Sequence, residues 1–399
     1  MKNKTIARLL LVADGISAFG TWVDMLAILT LSAYKFHVSP YQMALVAAAG
    51  LIPGILAAPY VGRWCDQGNP KALLLGSIFI RMLATAGILL CSGFPLLLAL
   101  IALRSLMASF APPAINVMAV RAISPDDLNA FYSTLNVLNN CAKVLAPALG
   151  TVASSLTSET TTLAVSMGFA AISAIVFSMI RVNKVETKTA ASEVGKQVKF
   201  ELRTMRPLLF VSVTYFAFVF LVNNHLPLML QRDGFDKSLL GILVSCSGAG
   251  NILSGLWITR LSKRGSFEVT LPLLLRAAAG VAVGFMLFGV ALAYRISATP
   301  VILSMLFFIV GTFSARYAIS SSIYLAKSCA ENIGQGSSII QAIQNTAILL
   351  APLAGAYILT SNEPYFLFMT ASVGGLIALG CVWLTLGTGM KPRVVHADS

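Results

Sequence analysis

The chain has 399 residues, of which 57% are hydrophobic and 11% charged, and its mean hydropathy is +0.83. A soluble domain carries roughly a quarter charged residues, so this composition excludes a soluble globular protein and indicates an integral membrane protein. The six cysteines show no paired spacing and only three histidines occur, so the sequence indicates neither a disulfide framework nor a Cys/His metal site, and no cofactor is expected.

Apolar runs of about 20 residues, enough to cross a bilayer, occur twelve times along the chain. They cover residues 9–34, 41–61, 72–93, 95–119, 130–155, 162–181, 207–230, 239–259, 269–293, 299–324, 334–360 and 364–386. The first run follows a basic N-terminus but has no small-residue cleavage site, so we interpret it as a retained span and not as a signal peptide.

A longer polar stretch, residues 182–206, divides these spans six and six. We therefore predict an all-α membrane protein with twelve transmembrane helices in two six-helix halves. The N-terminal half would cover residues 1–181 and the C-terminal half residues 207–399, with a cytoplasmic linker between them.

The distribution of Lys and Arg predicts the orientation of the chain. With the N-terminus inside, the inner segments hold 19 Lys and Arg residues, with Arg181 at the inner end of span six included, and the outer loops hold 4. This asymmetry follows the positive-inside rule and predicts a multi-pass protein of the bacterial inner membrane with both termini cytoplasmic. It also accounts for most of the net charge of +13, so nucleic acid need not be a partner.

An internal repeat relates the two halves. The segment NVLNNCAKVLAPALG, residues 136–150, matches QAIQNTAILLAPLAG, residues 341–355, at a constant offset of 205. The fifth and eleventh spans are therefore equivalent, and the two halves run in the same sense. In transporters, a parallel repeat of this kind places the substrate site near the midplane between the halves.

Three spans carry polar stripes that cannot favourably face lipid. At about 100° per residue, Asp14 and Asp24 project within an arc of about 80° on span one. The stripe on span five contains Asn136, Asn139, Asn140 and Lys143, and the stripe on span eleven contains Gln341, Gln344 and Asn345. The alternative for the amides is that they are interhelical hydrogen-bond contacts with no role in transport.

The charges within the spans favour an anionic cargo. Asp14 and Asp24 are the acids, and Arg81, Arg104, Lys143, Arg276 and Arg316 are the bases. The surplus of positive charge in a low-dielectric cavity would attract a carboxylate, phosphate or catecholate. An aspartate beside a base can also exchange a proton when its hydration changes, and Asp24 is the first candidate for that carboxylate, with Asp14 second.

The loop after span two reads GRWCDQGNPKALL, and span four contains ALRSLMASFAPP. The chain resembles the major facilitator superfamily over its whole length. The resemblance assigns Gly62, Asp66, Gly68 and Lys71 to the cytoplasmic loop that switches conformation, although Gln67 stands where the family usually has arginine. It also makes Arg104 the partner of Asp24. The segment ending at Pro147 and Gly150 resembles an antiporter motif, which supports export.

Within the superfamily the chain resembles the branch of enterobactin-type siderophore exporters, macrolide efflux proteins and exporters of microcin C-type peptide antibiotics. We therefore predict a monomeric, proton-driven exporter of a small anionic or zwitterionic compound. A general multidrug efflux pump and an importer of a nutrient or siderophore are the alternatives. No clustered constellation suggests an enzyme, and no Walker A loop suggests ATP as the energy source.

The outer part of span seven supplies further candidates for substrate contact. Asn223, Asn224 and His225 follow one another there, and Arg104 is also a candidate ligand for an anion. For His225, the alternative is a hydrogen-bonded interfacial residue.

Overall fold

The computed structural model describes residues 2–36, 40–156, 159–180, 202–223, 225–235, 237–265, 267–294, 299–361 and 363–386. Within these ranges every regular element is a helix. The helices are Lys2–Tyr34, Pro40–Ala49, Ile52–Gln67, Pro70–Leu90, Phe94–Ala108, Ala111–Ala122, Pro125–Leu156, Glu159–Met179, Leu202–Asn223, Leu226–Arg232, Lys237–Lys263, Leu271–Tyr294, Thr299–Ser328, Ile333–Ser361 and Pro364–Leu386, with a 3₁₀ turn at Ala330–Asn332. The predicted linker, residues 182–206, lies mostly outside the described residues.

Within the described residues, eleven of these helical spans are long and apolar enough to cross a membrane by length and composition. The helix at the fifth predicted position, Pro125–Leu156, has 32 residues but is not among the eleven. It carries the polar stripe, which makes it the least hydrophobic of the long helices. The all-helical prediction is confirmed.

Three predicted spans are interrupted in the structure. Span two breaks at Gly50 and Leu51, before Pro53, and span four breaks at Ser109 and Phe110, before the two prolines that follow. Proline has no backbone N–H to donate to the preceding turn, so a helix tends to restart there. Span seven ends at Asn223, and a short helix, Leu226–Arg232, continues it.

The spans pack as two groups that meet along two seams. In the first half, span one lies against spans five and six, and in the second half span ten lies against spans eight and nine. Span two meets span eleven along one seam, and span five meets span eight along the other. The polar spans five and eleven therefore both lie where the halves meet.

Polar contacts join the halves at the predicted cytoplasmic end of the bundle. The Asn129 side chain, near the beginning of span five, donates to the Phe267 carbonyl beyond the end of span eight at 3.0 Å. Further along the same seam, an added Cβ on Gly255 would lie 2.5 Å from Cγ2 of Val137, so a larger residue at this position would require the Val137 side chain to move. At this end the structure is closed.

Candidate functional site

The Asp24 carboxylate is paired with Arg104 inside the N-terminal half. Arg104 Nη2 donates to one oxygen of Asp24, and the Ser166 hydroxyl lies 3.1 Å from the other oxygen. The Arg104 side chain is 7% exposed and the Asp24 side chain 16% exposed. Spans one, four and six therefore meet at one ion pair that is largely shielded from solvent.

This pair forms one wall of a small cleft with free space for about one water molecule. The lining residues are Gly20, Asp24, Arg81, Met82, Thr85, Arg104, Ser166, Met167 and Ala170. They come from spans one, three, four and six, which all belong to the first half. The repeat indicates a substrate site between the halves, so the ion pair and that predicted site occupy different parts of the fold.

Asp14 has a different neighbour. The Asn139 side-chain amide donates to Asp14 at 3.3 Å, which joins span one to span five. Asp14 and Asp24 are ten residues apart, which corresponds to about 15 Å along a helix axis. The two acids share a face of span one in the sequence, but the structure brings only Asp24 to the arginine.

The stripe on span five is partly paired within its own helix. The Asn140 amide donates to the Asn136 backbone carbonyl at 2.8 Å and to its side-chain oxygen at 3.1 Å. Lys143, one turn further along, is exposed and has no side-chain partner within the described residues. It is the cation of this stripe that a ligand could reach.

The equivalent stripe on span eleven is less paired. Gln341, Gln344 and Asn345 are half-buried, and none has a side-chain partner among the residues the structure describes. Three amides without internal partners offer both donors and acceptors to a polar ligand. Span eleven lies against span two and span five against span eight, so both helices that carry these stripes lie where the halves meet.

The span-seven candidates divide into three cases. Asn223 is exposed, and Asn224 lies outside the described residues. The His225 ring nitrogen Nε2 lies 2.7 Å from the Pro352 carbonyl. An added Cβ on Gly355 would lie 2.6 Å from the same ring, so the histidine fills a notch on span eleven. Here His225 joins two spans of one half.

Asp66, in the loop motif after span two, binds the other half of the protein. Its carboxylate accepts hydrogen bonds from the backbone N–H groups of Gly334 at 2.7 Å and Gln335 at 2.8 Å. These N–H groups open span eleven, where the helix dipole favours an anion. An added Cβ on Gly62 would lie 2.6 Å from Gln335 Cα, so the absence of a side chain at Gly62 permits this contact. We call these four residues the inner latch.

The remaining two residues of the loop motif act within the first half. Gly68 ends the helix of span two, where its N–H donates to the Trp64 carbonyl at 2.9 Å. The Lys71 ammonium donates to the carbonyls of Ser178 at 2.6 Å and Ile180 at 2.7 Å. These carbonyls end span six, so Lys71 satisfies acceptors that the helix leaves unpaired and complements its dipole.

The other charged residues of the spans lie apart from the cleft. Arg276 is exposed and stands five residues after Leu271, where span nine begins. The Arg316 guanidinium lies 5.0 Å from the centre of the Trp257 ring, in a cation–π contact between spans ten and eight. With Asp24 ionised, the cleft itself therefore carries a surplus of one positive charge, from Arg81 and Arg104.

Several contributing residues were not predicted as site residues. Ser166 and Asn139 each bind one of the aspartates, and Gly334 with Gln335 forms the receiving side of the inner latch. Ser166 is one of three serines in span six, with Ser173 and Ser178, and the sequence does not single it out. Gln335 contributes only its backbone, so the single available signal is its position at the beginning of span eleven.

Comparison with known proteins identifies the fold and the family. The model of the Major Facilitator Superfamily matches residues 10–309. The chain is 26% identical over 264 residues to the uncharacterized MFS-type transporter YfiS of Bacillus subtilis (strain 168), a match that spans 63% of each protein.

Solved structures share the fold at low identity. The human organic anion transporter MFSD10 is similar at a TM-score of 0.76 and 15% identity, over 95% of this chain and 99% of that one. The proton:xylose symporter XylE has a TM-score of 0.75 and 13% identity, over 96% and 95%. A bacterial homologue of the iron transporter ferroportin in its outward-facing state has a TM-score of 0.70 and 16% identity, over 96% and 99%.

Proposed function

The chain belongs to the major facilitator superfamily and is a multi-pass membrane transporter of a small molecule, and we propose that it is a proton-driven exporter of an anionic or zwitterionic compound. The observation that carries the proposal is the shielded pair of Asp24 and Arg104. An ionisable pair at membrane depth is costly to keep, so it is expected to serve transport. The proposed location is the bacterial inner membrane, with both termini cytoplasmic and the protein acting as a monomer.

Protonation of Asp24 can drive a change in structure, because ionised and neutral Asp24 interact differently with Arg104. With Asp24 ionised, Arg104 and Ser166 hold the carboxylate and bind span one to spans four and six. A proton on Asp24 cancels the ionic attraction, since only a neutral carboxyl then faces the guanidinium. Protonation would thus loosen span one from its neighbours, and a change in the packing of span one is what alternating access requires.

We assign the cargo to the seams between the halves. The proposed substrate contacts are Asn136, Asn140, Lys143, Asn223, Asn224, His225, Gln341, Gln344 and Asn345, with Arg104 reached only in another conformation. The exposed Lys143 and the unpaired amides of span eleven are the groups with free hydrogen-bonding capacity. A peptide-type antibiotic such as a microcin, or a siderophore, has the acidic and polar groups to match them.

A pH-jump experiment in proteoliposomes tests the proton site. Asp24→Asn keeps the size of the side chain and removes its charge, so gradient-driven transport should be lost while exchange of cargo across the membrane persists. Asp126→Asn is the matched control, because Asp126 is an exposed acid at the beginning of span five. Wild-type driven flux in Asp24→Asn would overturn the assignment.

A paired efflux assay tests the charge and direction of transport. Cells that overproduce the protein should tolerate higher concentrations of an acidic peptide-nucleotide antibiotic or a catecholate siderophore, and they should accumulate less of it. They should gain little protection against the lipophilic cation ethidium. Efflux of ethidium alone would favour a multidrug pump, and faster accumulation of the siderophore would favour an importer.

A further inference from the structure

Arg104, which lines the cleft beside Asp24, carries hydrogen-bond donors without a protein partner. One nitrogen of Arg104, Nη2, donates a hydrogen bond to Asp24. Its other two nitrogens, Nε and Nη1, are buried and have no partner among the described residues. Buried donors in native proteins are nearly always paired, so an unpaired group of this kind points to a water or an ion that completes it.

A second arginine faces the same cleft. Arg81, on span three, lines it together with Asp24 and Arg104, and the Arg81 side chain has no ion pair or hydrogen bond among the described residues. Two arginines thus line a cleft that holds one carboxylate. The other walls include Met82 and Ala170, which screen charge poorly, so the surplus positive charge acts at full strength on anything that enters.

We infer that the cleft binds one small monovalent anion, of halide size, between Arg81 and Arg104. The free space admits about one water-sized particle, which excludes a peptide or a siderophore in this conformation. A chloride or bromide ion is larger than a water molecule, so its binding requires the side chains around the cleft to move apart slightly. A halide ion accepts hydrogen bonds from N–H groups in any direction, so it can bind two arginines that lie on different spans. The anion would neutralise the surplus charge without taking Nη2 from Asp24.

This ion would connect two helices of the first half of the protein. It would join span three to span four through the two arginines, beside the contact that joins span one to span four. The inference does not depend on which cargo the protein carries or in which direction. A carboxylate of the cargo has the same chemistry as a halide at an arginine, so the test must separate the two.

Bromide binding to the purified protein tests the inference. Protein in detergent is titrated with sodium bromide at constant ionic strength against sodium gluconate, whose anion is too large for the cleft, and followed by calorimetry and thermal melting. Wild type should bind bromide saturably and melt at a higher temperature. In Arg81→Gln the dissociation constant should rise about 10- to 100-fold, as expected for loss of a charged hydrogen bond.

Arg276→Gln is the matched control. Arg276 lies on the third span of the other half and is exposed, so its loss should leave bromide binding at the wild-type level. If Arg81→Gln does not fold, Arg81→Lys provides the second variant, and it should retain bromide binding with reduced affinity because its charge remains.

Three results would overturn the inference. Absence of saturable bromide binding to wild type would mean that water fills the cleft. Equal binding by wild type and Arg81→Gln would place the anion elsewhere. Saturable stabilisation by acetate without any by bromide would show that the cleft takes a carboxylate, and the cargo would then be its source. None of these results bears on proton-driven export, which is measured separately in proteoliposomes.

Discussion

Replacing Asp66 with alanine tests whether the inner latch holds the predicted cytoplasmic end closed. The substitution removes two hydrogen bonds, of 2.7 and 2.8 Å, between an acid of the first half and the backbone of the second. A hydrogen bond to a charged group contributes about 1.5–3 kcal/mol. The lower end of this range gives about 3 kcal/mol for the two bonds. Because Asp66 is half-buried and both partners can be hydrated in the open state, we reduce this to about 2–3 kcal/mol for the pair. The ratio of open to closed protein should therefore rise about 30- to 150-fold.

A buried serine beside the latch provides the reporter. Ser338 is 2% exposed, and its hydroxyl lies 2.8 Å from the position of an added Cβ on Gly62, so separation of spans two and eleven would uncover it. In a background without other cysteines, Ser338→Cys should react slowly with a thiol reagent supplied from the cytoplasmic side. While the open state is rare, the labelling rate follows its population and should increase by the same factor in Asp66→Ala.

Asp126→Asn serves as the control for the loss of an acid at the same end of the bundle, and it should label like wild type. An unchanged labelling rate in Asp66→Ala, with normal transport, would refute the latch. Labelling that rises equally in both variants would attribute the effect to surface charge and not to the contact with Gly334 and Gln335.

Three further substitutions test separate parts of the structure. Gly62→Ala should also speed labelling of Ser338→Cys, because the new Cβ would lie 2.6 Å from the backbone of Gln335. The control Gly76→Ala should not, because its Cβ would have no neighbour within 4 Å. Equal labelling rates in the two variants would show that the interface adapts to the added methyl group. Lys71→Met should lower the free energy of unfolding by about 1 kcal/mol, since it removes a helix cap, and leave the ratio of driven transport to exchange unchanged in the proteoliposome assay. Ser166→Ala should reduce gradient-driven flux about five-fold, because it removes an interaction of about 1 kcal/mol with Asp24. The control Ser173→Ala removes a comparable hydrogen bond between spans six and one and leaves Asp24 unchanged. Similar flux in the two variants would contradict the role of Ser166.

The sequence predicts the helices well because hydropathy is a strong signal over 20 residues. Each of the twelve apolar runs coincides with one helix or with a pair of short helices in the structure. The breaks in spans two and four were missed, since a proline inside an apolar run changes the path of the backbone without changing its hydropathy. The motif around Asp66 also marks a residue whose side chain reaches across the halves.

Contacts that depend on the packing of several spans could not be predicted in the same way. Helical periodicity places Asp14 and Asp24 on one face, but an arc of about 80° is wide enough to touch different neighbours along 15 Å of helix. Asp14 meets span five, and Asp24 meets spans four and six. The number of charged residues in the spans likewise does not show that Arg276 and Arg316 lie away from the cleft.

Span one connects the proton site to the predicted cargo site. Asp24 is bound to spans four and six inside the first half, whereas Asp14 is bound to Asn139 of span five. Asn139 stands between Asn136 and Asn140 on the polar stripe of span five. A proton that loosens Asp24 would let span one move as a rigid helix, and the Asp14 contact would carry that movement to the stripe. We therefore expect the movement of span one to couple the transport of proton and cargo. The proton and the cargo are held by different groups, so they need not compete for one residue.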